Sequence, residues 1–229
     1  MNETAAREAR AWGLPRVLDF FAHHRDTTEE LYPSERFFID PLLREGISVL
    51  DVGCAQGGFA GILSEHLDRF TYTGLDVNAD MIARAKAGHP GQEFHHVAAN
   101  DFSILGERTF DLVLALGFLH LTADWREALA AAWRHTGGAL VLDFRETHLK
   151  TIEDPEVSYF AMSFNGGGEE YETTRLPYNI LNSGDALAAV IEACSGSNGI
   201  RRYGYLHAVR DSAVTPVDQV MATTYCVQR

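Results

Sequence analysis

The chain has 229 residues, of which 46% are apolar, 10% aromatic and 22% charged, and its formal net charge is −13. These values are typical of one globular domain, because domains average about 150 residues, and a chain of this length can bury roughly 70% of its unfolded surface. The excess of Asp and Glu argues against a nucleic-acid partner, since non-specific affinity for nucleic acid comes mostly from Lys and Arg.

The sequence also bears on membranes, location and metals. Crossing a bilayer takes about 20 consecutive apolar residues, and the longest apolar run, 112–121, contains Gly117 and His120. The first residues lack the charged and then apolar layout of a secretory signal. The three cysteines form neither a CxxC pair nor an even set, and the histidines show no HxH or HxxxH spacing. We therefore expect a cytoplasmic protein without a membrane segment or a metal.

Helical patterns alternate with short β-branched runs over the first two thirds of the chain. Residues 12–46 read as helical segments interrupted by prolines. The predicted strands that follow are 47–52, 71–75, 93–98, 111–115 and 139–144, and the predicted helices are 59–67, 79–87 and 125–134. Because this alternation implies right-handed crossovers, it predicts a parallel sheet with helices on both faces.

The last third of the chain has a different pattern. Residues 145–182 are rich in aromatic and polar side chains and include three consecutive glycines. A predicted helix over 184–194 follows. Two predicted strands, 200–209 and 220–227, are joined by a turn, which indicates an antiparallel pair at the edge of the sheet.

The most specific local signal is segment 49–59, where a strand carries Asp51 and glycines follow at positions 53, 57 and 58. Glycines let a ligand approach the backbone, and the helix behind them directs its first N–H groups at the ligand. A tight strand-to-helix turn without a ligand is one alternative. Dinucleotide binding is another, but it requires GxGxxG, and Ala55 stands where the middle glycine would be.

With Asp51, Gly53 and Gly57, this segment resembles the first motif of the class I S-adenosylmethionine (SAM)-dependent methyltransferases, which runs roughly D/E-x-G-x-G-x-G. Ala55 departs from that motif at its central glycine. We expect a methyl group to be tolerated there if the methionine part of SAM only touches the turn.

Three further segments follow at the distances typical of this family. Asp76 ends the second strand, where a carboxylate would accept hydrogen bonds from the ribose hydroxyls. Residues 100–102 end the third strand, where the family has a carboxylate for the adenine amino group and a side chain beside the ring. Residues 110–114 match the fourth strand. The resemblance covers about residues 36–145.

The resemblance implies a Rossmann-like α/β fold: a seven-stranded, mostly parallel sheet of order 3-2-1-4-5-7-6 with an antiparallel last strand and helices on both faces. It implies one domain over 1–229, with an N-terminal helical lid at 1–45 and a substrate-cap insertion at 145–182. The implied cofactor is S-adenosyl-L-methionine, and its predicted contacts are Tyr32, Arg36, Asp51, Gly53, Cys54, Ala55, Gly57, Asp76, Val77, Asn100, Asp101, Phe102 and Leu116.

Methyl transfer from a sulfonium is an in-line displacement, so the protein mainly holds the nucleophile, the methyl carbon and the sulfur in line. A general base is needed only for a hydroxyl or an ammonium nucleophile. His120 is the predicted catalytic residue because it follows the fourth strand, at the edge where open α/β sheets bind ligands. Glu146 and His148, after the fifth strand, are alternatives, and a positioning role for His120 stays open.

The acceptor is predicted to be a small molecule that is methylated on oxygen, nitrogen or carbon. Aromatic residues supply stiff contact area and hydroxyl groups. The predicted substrate contacts are Tyr159, Phe164, Tyr171, Tyr178 and Asn179. A cap hairpin that fills its own core would explain the same residues. We expect a monomer or a homodimer, with neither nucleic acid nor a membrane as partner.

Structural roles compete with several of these assignments. Asp76 could cap the next helix, Asp101 could cap a turn, Phe102 could fill the core, and Arg36 could lie on an ordinary amphipathic helix. Two alternatives stay open for the whole chain. One is an NAD(P)-dependent Rossmann oxidoreductase, and the other is a SAM-binding protein without transferase activity.

Overall fold

The structure is a computed structural model that describes residues 12, 25, 27–98, 100–162, 174–209 and 213–229. The strands are β1 Ile47–Val52, β2 Phe70–Asp76, β3 Glu93–His96, β4 Phe110–Ala115, β5 Thr136–Thr147, β6 Tyr159–Met162, β7 Thr174–Pro177, β8 Leu181–Asn182, β9 Gly199–Ala208, β10 Ala213–Val214 and β11 Gln219–Gln228. The helices of at least seven residues are α1 Pro33–Ile39, α2 Gly58–His66, α3 Ala79–Gly88, α4 Trp125–Arg134 and α5 Ser183–Ala193. Within the described ranges, no helix is long and apolar enough to pass through a membrane.

The main sheet has the strand order β3-β2-β1-β4-β5-β11-β9, and β8 pairs with the end of β5. Strands β1 to β5 pair in parallel, whereas β11 runs antiparallel to both of its neighbours, β5 and β9. With β11 as the seventh strand of the expected order and β9 as the sixth, the predicted Rossmann-like sheet is confirmed. The antiparallel pair near the sheet edge is confirmed as well.

Both faces of the central strands are buried by helices. One apolar cluster joins the sheet to α4 and α5 and includes Trp125 and Ala186. The other joins it to α1, α2 and α3 and includes Phe38, Phe59 and Ile82. Parallel strands covered in this way leave their carboxyl ends, with the loops that follow them, as the place where an open α/β sheet binds ligands.

A second, three-stranded antiparallel sheet of order β10-β6-β7 follows β5. Ser158 and Tyr178 fasten it, because the Ser158 hydroxyl donates to the Tyr178 carbonyl at 2.6 Å and the Tyr178 amide donates to the Ser158 carbonyl at 3.1 Å. Its apolar side belongs to a small cluster with Leu121, Ile180 and Val220. The predicted cap segment therefore builds a small sheet, although its residues 163–173 lie outside the described ones.

The fifth strand is longer than predicted. Its pairing with β11 continues to the partners Met221 and Glu146, beyond the predicted limits 139–144. The expectation that Glu146 follows the strand was wrong, because the antiparallel partner supplies ladder hydrogen bonds that extend β5. Side chains alternate across a strand, so Glu146 points to the opposite face from Arg145.

Gly138 lies where β5 passes β4, and an added Cβ there would stand 2.4 Å from the carbonyl oxygen of Asp111. Because backbone atoms cannot move aside as a side-chain end can, we expect Gly138→Ala to lower the free energy of unfolding by about 2 kcal/mol or more. Gly91→Ala is the control, since an added Cβ at Gly91 has no atom within 4 Å. Urea denaturation measures both, and equal stabilities would contradict the packing.

Candidate functional site

The loop after β1 uses left-handed backbone conformations at three positions. Gly53 has φ 78°, Ala55 has φ 47° and Gly57 has φ 82°. The amides of Gly53 and Cys54 both donate to the carbonyl oxygen of Leu75 in β2, at 2.8 and 3.0 Å. The loop is thus bound to the neighbouring strand and turns at the carboxyl end of β1.

The Asp76 carboxylate, at the end of β2, holds the same loop from the other side. One oxygen accepts the Ala55 amide at 2.9 Å, and the other accepts the Asn78 amide at 2.8 Å. Asn78 itself caps α3, because its side chain accepts the Met81 amide at 2.9 Å. The helix-capping role that competed for Asp76 therefore belongs to Asn78. A carboxylate has about four lone-pair sites, so Asp76 retains acceptor capacity for a ligand.

Three further groups surround this loop. The ring of His96 is hydrogen-bonded to the carbonyl oxygen of Val77 at 2.9 Å, directly after Asp76. Cys54 is buried, and burial raises the pKa of its thiol well above the ordinary value. An added Cβ at Gly74 would stand 2.7 Å from the Cys54 sulfur, so the thiol packs against that glycine. The side chain of Cys54 therefore has a packing role.

Asp51 lies beneath the loop with 3% of its surface exposed, and the Tyr72 hydroxyl donates to its carboxylate at 2.5 Å. Burial raises the pKa of Asp51 to about 7, although Tyr72 and the charge of Arg25 act in the opposite direction. The ring of Phe118 covers Gly53, where an added Cβ would stand 3.1 Å from it. The carboxyl edge of β1 therefore holds an acid whose ionised form is disfavoured by burial.

The predicted adenine-side residues occupy different positions. The side-chain amide of Asn100 donates to Asp124 at 3.1 Å, and the exposed Asp101 accepts the Ser103 amide at 3.0 Å, which closes a turn. Phe102 is 4% exposed and stacks on His135 within the core, with ring centroids 5.8 Å apart. Its side chain has the structural role that competed with the cofactor assignment.

A second carboxylate closes the loop after β4. Asp143 of β5 accepts the Gly117 amide at 2.5 Å with one oxygen and Nη1 of Arg145 at 2.5 Å with the other. Burial alone would raise the pKa of Asp143, but Arg145, His120 and the Gly117 amide hold it below its ordinary value. Leu116, the residue before this loop, is 6% exposed and lies in the core.

His120 lies in a short 3-10 turn, Leu119–Leu121, beside this carboxylate, and it is 4% exposed. Its ring meets that of Tyr178 edge to face at 5.8 Å. The Asn179 amide donates to the His120 carbonyl, and the Asn179 side chain donates to the Thr122 carbonyl, both at 2.8 Å. Asn179 therefore fastens the turn that carries His120, while Tyr178 lies against the imidazole.

The segment before α1 brings Arg25 to this edge. Its Nη2 donates to Glu35 at 2.6 Å, and the second Glu35 oxygen accepts the Tyr32 amide at 2.9 Å. The guanidinium lies 5.1 Å from the Tyr32 ring centroid, and its Nη1 would stand 3.3 Å from a Cβ added to Gly117. Burial raises the pKa of Glu35 against the opposing charge of Arg25. Arg25 thus contacts the loop after β4.

Arg36 has a different neighbour. Its side chain is half exposed and pairs with Asp40 of the next turn, at 3.5 Å between Nε and a carboxylate oxygen. Such exposed pairs contribute little to stability. Tyr32 therefore lies close to the loop after β4, because it contacts Arg25 and Arg25 contacts that loop. Arg36 pairs with Asp40 instead.

The remaining residues that were predicted to contact the substrate or to act as the base do not form one group. Tyr159 is half-buried in β6, whereas Phe164 and Tyr171 lie outside the described residues. His148 is exposed after β5. Glu146 accepts the Tyr225 hydroxyl at 2.5 Å on the face away from Asp143.

Sequence reasoning missed four groups at this edge: Arg25, Tyr72, Asp143 and Arg145. Asp143 and Arg145 carried a signal, because an apolar strand with ionisable residues at two positions i and i+2 directs both to the same face. Arg25 and Tyr72 carried none, since their partners are distant in the chain.

The region around these loops is similar in sequence to known methyltransferases. Residues 50–137 match a family described as a methyltransferase domain. A fatty-acid O-methyltransferase of Mycolicibacterium smegmatis is 40% identical over 79 residues, which are 34% of this chain and 28% of the relative. A phthiotriol/phenolphthiotriol dimycocerosates methyltransferase of Mycobacterium tuberculosis is 35% identical over 91 residues, which are 39% of this chain and 33% of the relative. The alignments thus span about a third of these relatives.

A solved structure is similar over almost the whole chain. The 1,6-didemethyltoxoflavin-N1-methyltransferase of Burkholderia thailandensis, with its acceptor and S-adenosylhomocysteine bound, has a TM-score of 0.62 at 15% identity. The alignment covers 98% of this chain and 87% of that one. At this identity the similarity is one of fold.

The titration of Asp51 has a measurable effect on stability. Its folded-state pKa of about 7 lies above the ordinary 3.8, so between these values the folded state holds a proton that the unfolded state has released. Asp51 therefore lowers stability as pH rises through this window, by about 1.4 kcal/mol per pH unit. Asp51→Asn removes the titration and keeps an oxygen for the Tyr72 hydroxyl.

We expect Asp51→Asn to gain stability relative to the wild type between pH 3.8 and about 7, with a constant difference above that range. Urea denaturation of both proteins at a series of pH values measures it. A difference that does not change with pH would show that Asp51 is ionised in the folded protein at all these values.

Proposed function

We propose that this chain, whose residues 50–137 match a methyltransferase domain and whose strand order is the one expected for the class I SAM-dependent methyltransferases, transfers a methyl group from SAM to a small-molecule acceptor. The observation that supports the proposal most directly is the β1 loop, whose left-handed turn is held by Asp76 at the carboxyl edge of the sheet. SAM, when bound, supplies a methyl group on a sulfonium that a nucleophile can displace.

The side chains at this edge fit the charges of SAM. Asp51 and Asp76 are acids whose pKa values burial raises, and a cationic ligand beside them would favour their ionised forms. Asp76 has lone pairs left for the ribose hydroxyls. Gly53, Cys54, Ala55, Gly57 and Val77 would contribute the backbone around the ligand.

Ala55 favours SAM over a dinucleotide. Its φ of 47° places a methyl group where the dinucleotide motif requires glycine so that the backbone can approach a pyrophosphate. The side chain is tolerable beside a ligand that carries no phosphate. Asp76 also accepts the Ala55 amide, so this N–H is already used and would not face a pyrophosphate.

We assign the carboxylate of the methionine part to Arg25 in place of Arg36. Arg25 lies on Gly117 and against Tyr32, whereas Arg36 pairs with Asp40 on an exposed surface. A guanidinium can bind a carboxylate through two parallel hydrogen bonds. Asn100 and Asp101, exposed after β3, remain the proposed contacts of the adenine.

His120 remains the proposed proton acceptor for a hydroxyl or ammonium nucleophile. Its place beside Asp143 supports this role, because a carboxylate stabilises the imidazolium that forms when His takes a proton. Tyr178 lies against its ring and is the proposed acceptor contact nearest to it. The lipid and small-molecule acceptors in the names of the relatives support a small-molecule acceptor here.

Asp76 provides the first test. Asp76→Asn keeps one oxygen and loses the charge and part of the acceptor capacity, so we expect its affinity for S-adenosylhomocysteine to fall about tenfold or more in isothermal titration. Asp80→Asn changes an exposed carboxylate on α3 and should bind like the wild type. Unchanged affinity in a folded Asp76→Asn protein would refute the proposed ribose contact.

The two arginines provide the second test. We expect Arg25→Gln to lower the affinity for S-adenosylhomocysteine about tenfold, because a charged hydrogen-bonded pair is lost. Arg36→Gln should leave the affinity unchanged, since the Arg36 side chain pairs with Asp40 on the surface. The reverse ranking would return the assignment to Arg36. Incubation with labelled SAM and an acceptor panel then separates an enzyme from a protein that only binds SAM.

A further inference from the structure

Arg145 is a poorly satisfied cation in the described part of the carboxyl edge. Its side chain is 12% exposed, and its hydrogen bond among the described residues is the one from Nη1 to Asp143. A guanidinium has five N–H donors. Leaving such donors without acceptors in a largely buried place is costly, so the position favours a ligand that accepts hydrogen bonds.

The neighbouring strand places a small side chain beside Arg145. In the pairing of β5, β11 and β9, Arg145 stands opposite Ala222, and Ala222 stands opposite Tyr205. Directly paired residues share a face, and strands two apart are separated by about 10 Å. On this face Ala222 therefore places only a methyl group between Arg145 and Tyr205, and we call the surface of these three side chains the slot.

Aromatic groups form the other sides of this slot. The Tyr32 ring lies 6.3 Å from that of Tyr205, and the hydroxyl groups of Tyr178 and Tyr32 are close enough to interact electrostatically with Arg145. Phe160 packs edge to face on Tyr178 at 4.9 Å and extends the aromatic surface into the small sheet. The slot thus combines one cation with an aromatic wall.

The polar groups that the slot offers to a ligand are hydrogen-bond donors. Burial raises the pKa of Tyr205 to about 12, so its hydroxyl stays protonated. The nearby acids are already engaged, since Asp143 is held by Gly117 and Arg145, and Glu35 by Arg25 and Tyr32. These two acids also disfavour a doubly charged ligand. A monoanion that only accepts hydrogen bonds, a carboxylate, fits best.

We propose that the slot formed by Arg145, Ala222 and Tyr205 binds a carboxylate of the methyl acceptor, so that the acceptor is a carboxylic acid with an apolar or aromatic body. This inference rests on the proposed function and narrows its substrate class. Arg145 would bind the acceptor through its free N–H groups, with the planar geometry that suits a carboxylate. Asp143 would hold the guanidinium in place from behind.

The test compares acids with their neutral amides in the presence of saturating S-adenosylhomocysteine. The probes are phenylacetate with phenylacetamide and octanoate with octanamide, titrated by calorimetry. In the wild type we expect at least one acid to bind about tenfold or more tightly than its amide. Equal binding of acid and amide in both pairs, or no binding of either acid, would overturn the proposal, as would tighter binding of phenyl phosphate.

Variants test whether Arg145 causes the preference for an acid over its amide. Asp143→Asn with Arg145→Gln removes both charges together and leaves an oxygen for the Gly117 amide, so no unpaired charge remains buried. We expect this double variant to bind acid and amide alike, and Arg145→Lys to retain part of the preference. Arg134→Gln, the same exchange of arginine for glutamine on the exposed side of α4, should behave as the wild type. Retained acid preference in the double variant would refute the role of Arg145.

The titration of S-adenosylhomocysteine alone separates this inference from the proposed function. If the wild type binds it and the double variant binds it equally, the slot is distinct from the cofactor site, and the acid preference decides the inference. If Arg145→Lys, which leaves Asp143 in place, loses it, Arg145 serves the cofactor and the inference fails. If the wild type does not bind it, the proposed function fails, whereas an acid preference that depends on Arg145 would still establish the slot.

Discussion

A carboxylate on one strand accepts the backbone amide of the loop that follows the neighbouring strand, and the candidate site depends on this interaction. It occurs twice among the described residues. Asp76 of β2 accepts the Ala55 amide after β1, and Asp143 of β5 accepts the Gly117 amide after β4. Loops carry few contacts of their own, so each carboxylate fixes a loop that the sheet alone would leave free.

These carboxylates create an electrostatic cost that a ligand can reduce. Glu35, Asp51 and Asp76 all have pKa values that burial raises above their ordinary range, and the nearby cations are Arg25 and Arg145. A group whose ionised form is disfavoured by burial is stabilised as an ion when a positive charge approaches. The edge is therefore prepared for a cationic ligand, which agrees with a sulfonium that also carries an ammonium group.

How far the sequence predicts this protein depends on how local each interaction is. The individual strands and the β1 loop were predictable, because hydrophobic periodicity and the spacing of Gly53 and Gly57 are written in short segments, whereas the strand order followed from the family resemblance. Phe102 shows the limit, since a short motif does not tell which side of a strand end an aromatic side chain takes, and here it packs on His135.

Arg36 and Arg25 show the same limit of prediction from sequence. Arg36 lies in a segment with a helical pattern, and its nearest acid is four residues away on that helix, so a local pair satisfies it. Arg25 reaches Gly117 only because α1 packs on the sheet, where Thr224 of β11 donates to Ser34 at 2.8 Å. No pattern near position 25 encodes that packing.

Asp143 joins the two halves of the site. One of its oxygens positions the loop that Arg25 contacts on the proposed cofactor side, and the other positions Arg145 on the proposed acceptor side. His120 lies close enough to influence the same carboxylate. In-line transfer requires donor and acceptor to be aligned within a fraction of an ångström. A single buried carboxylate that orients elements on both sides meets this requirement with fewer independent motions than separate anchors would allow.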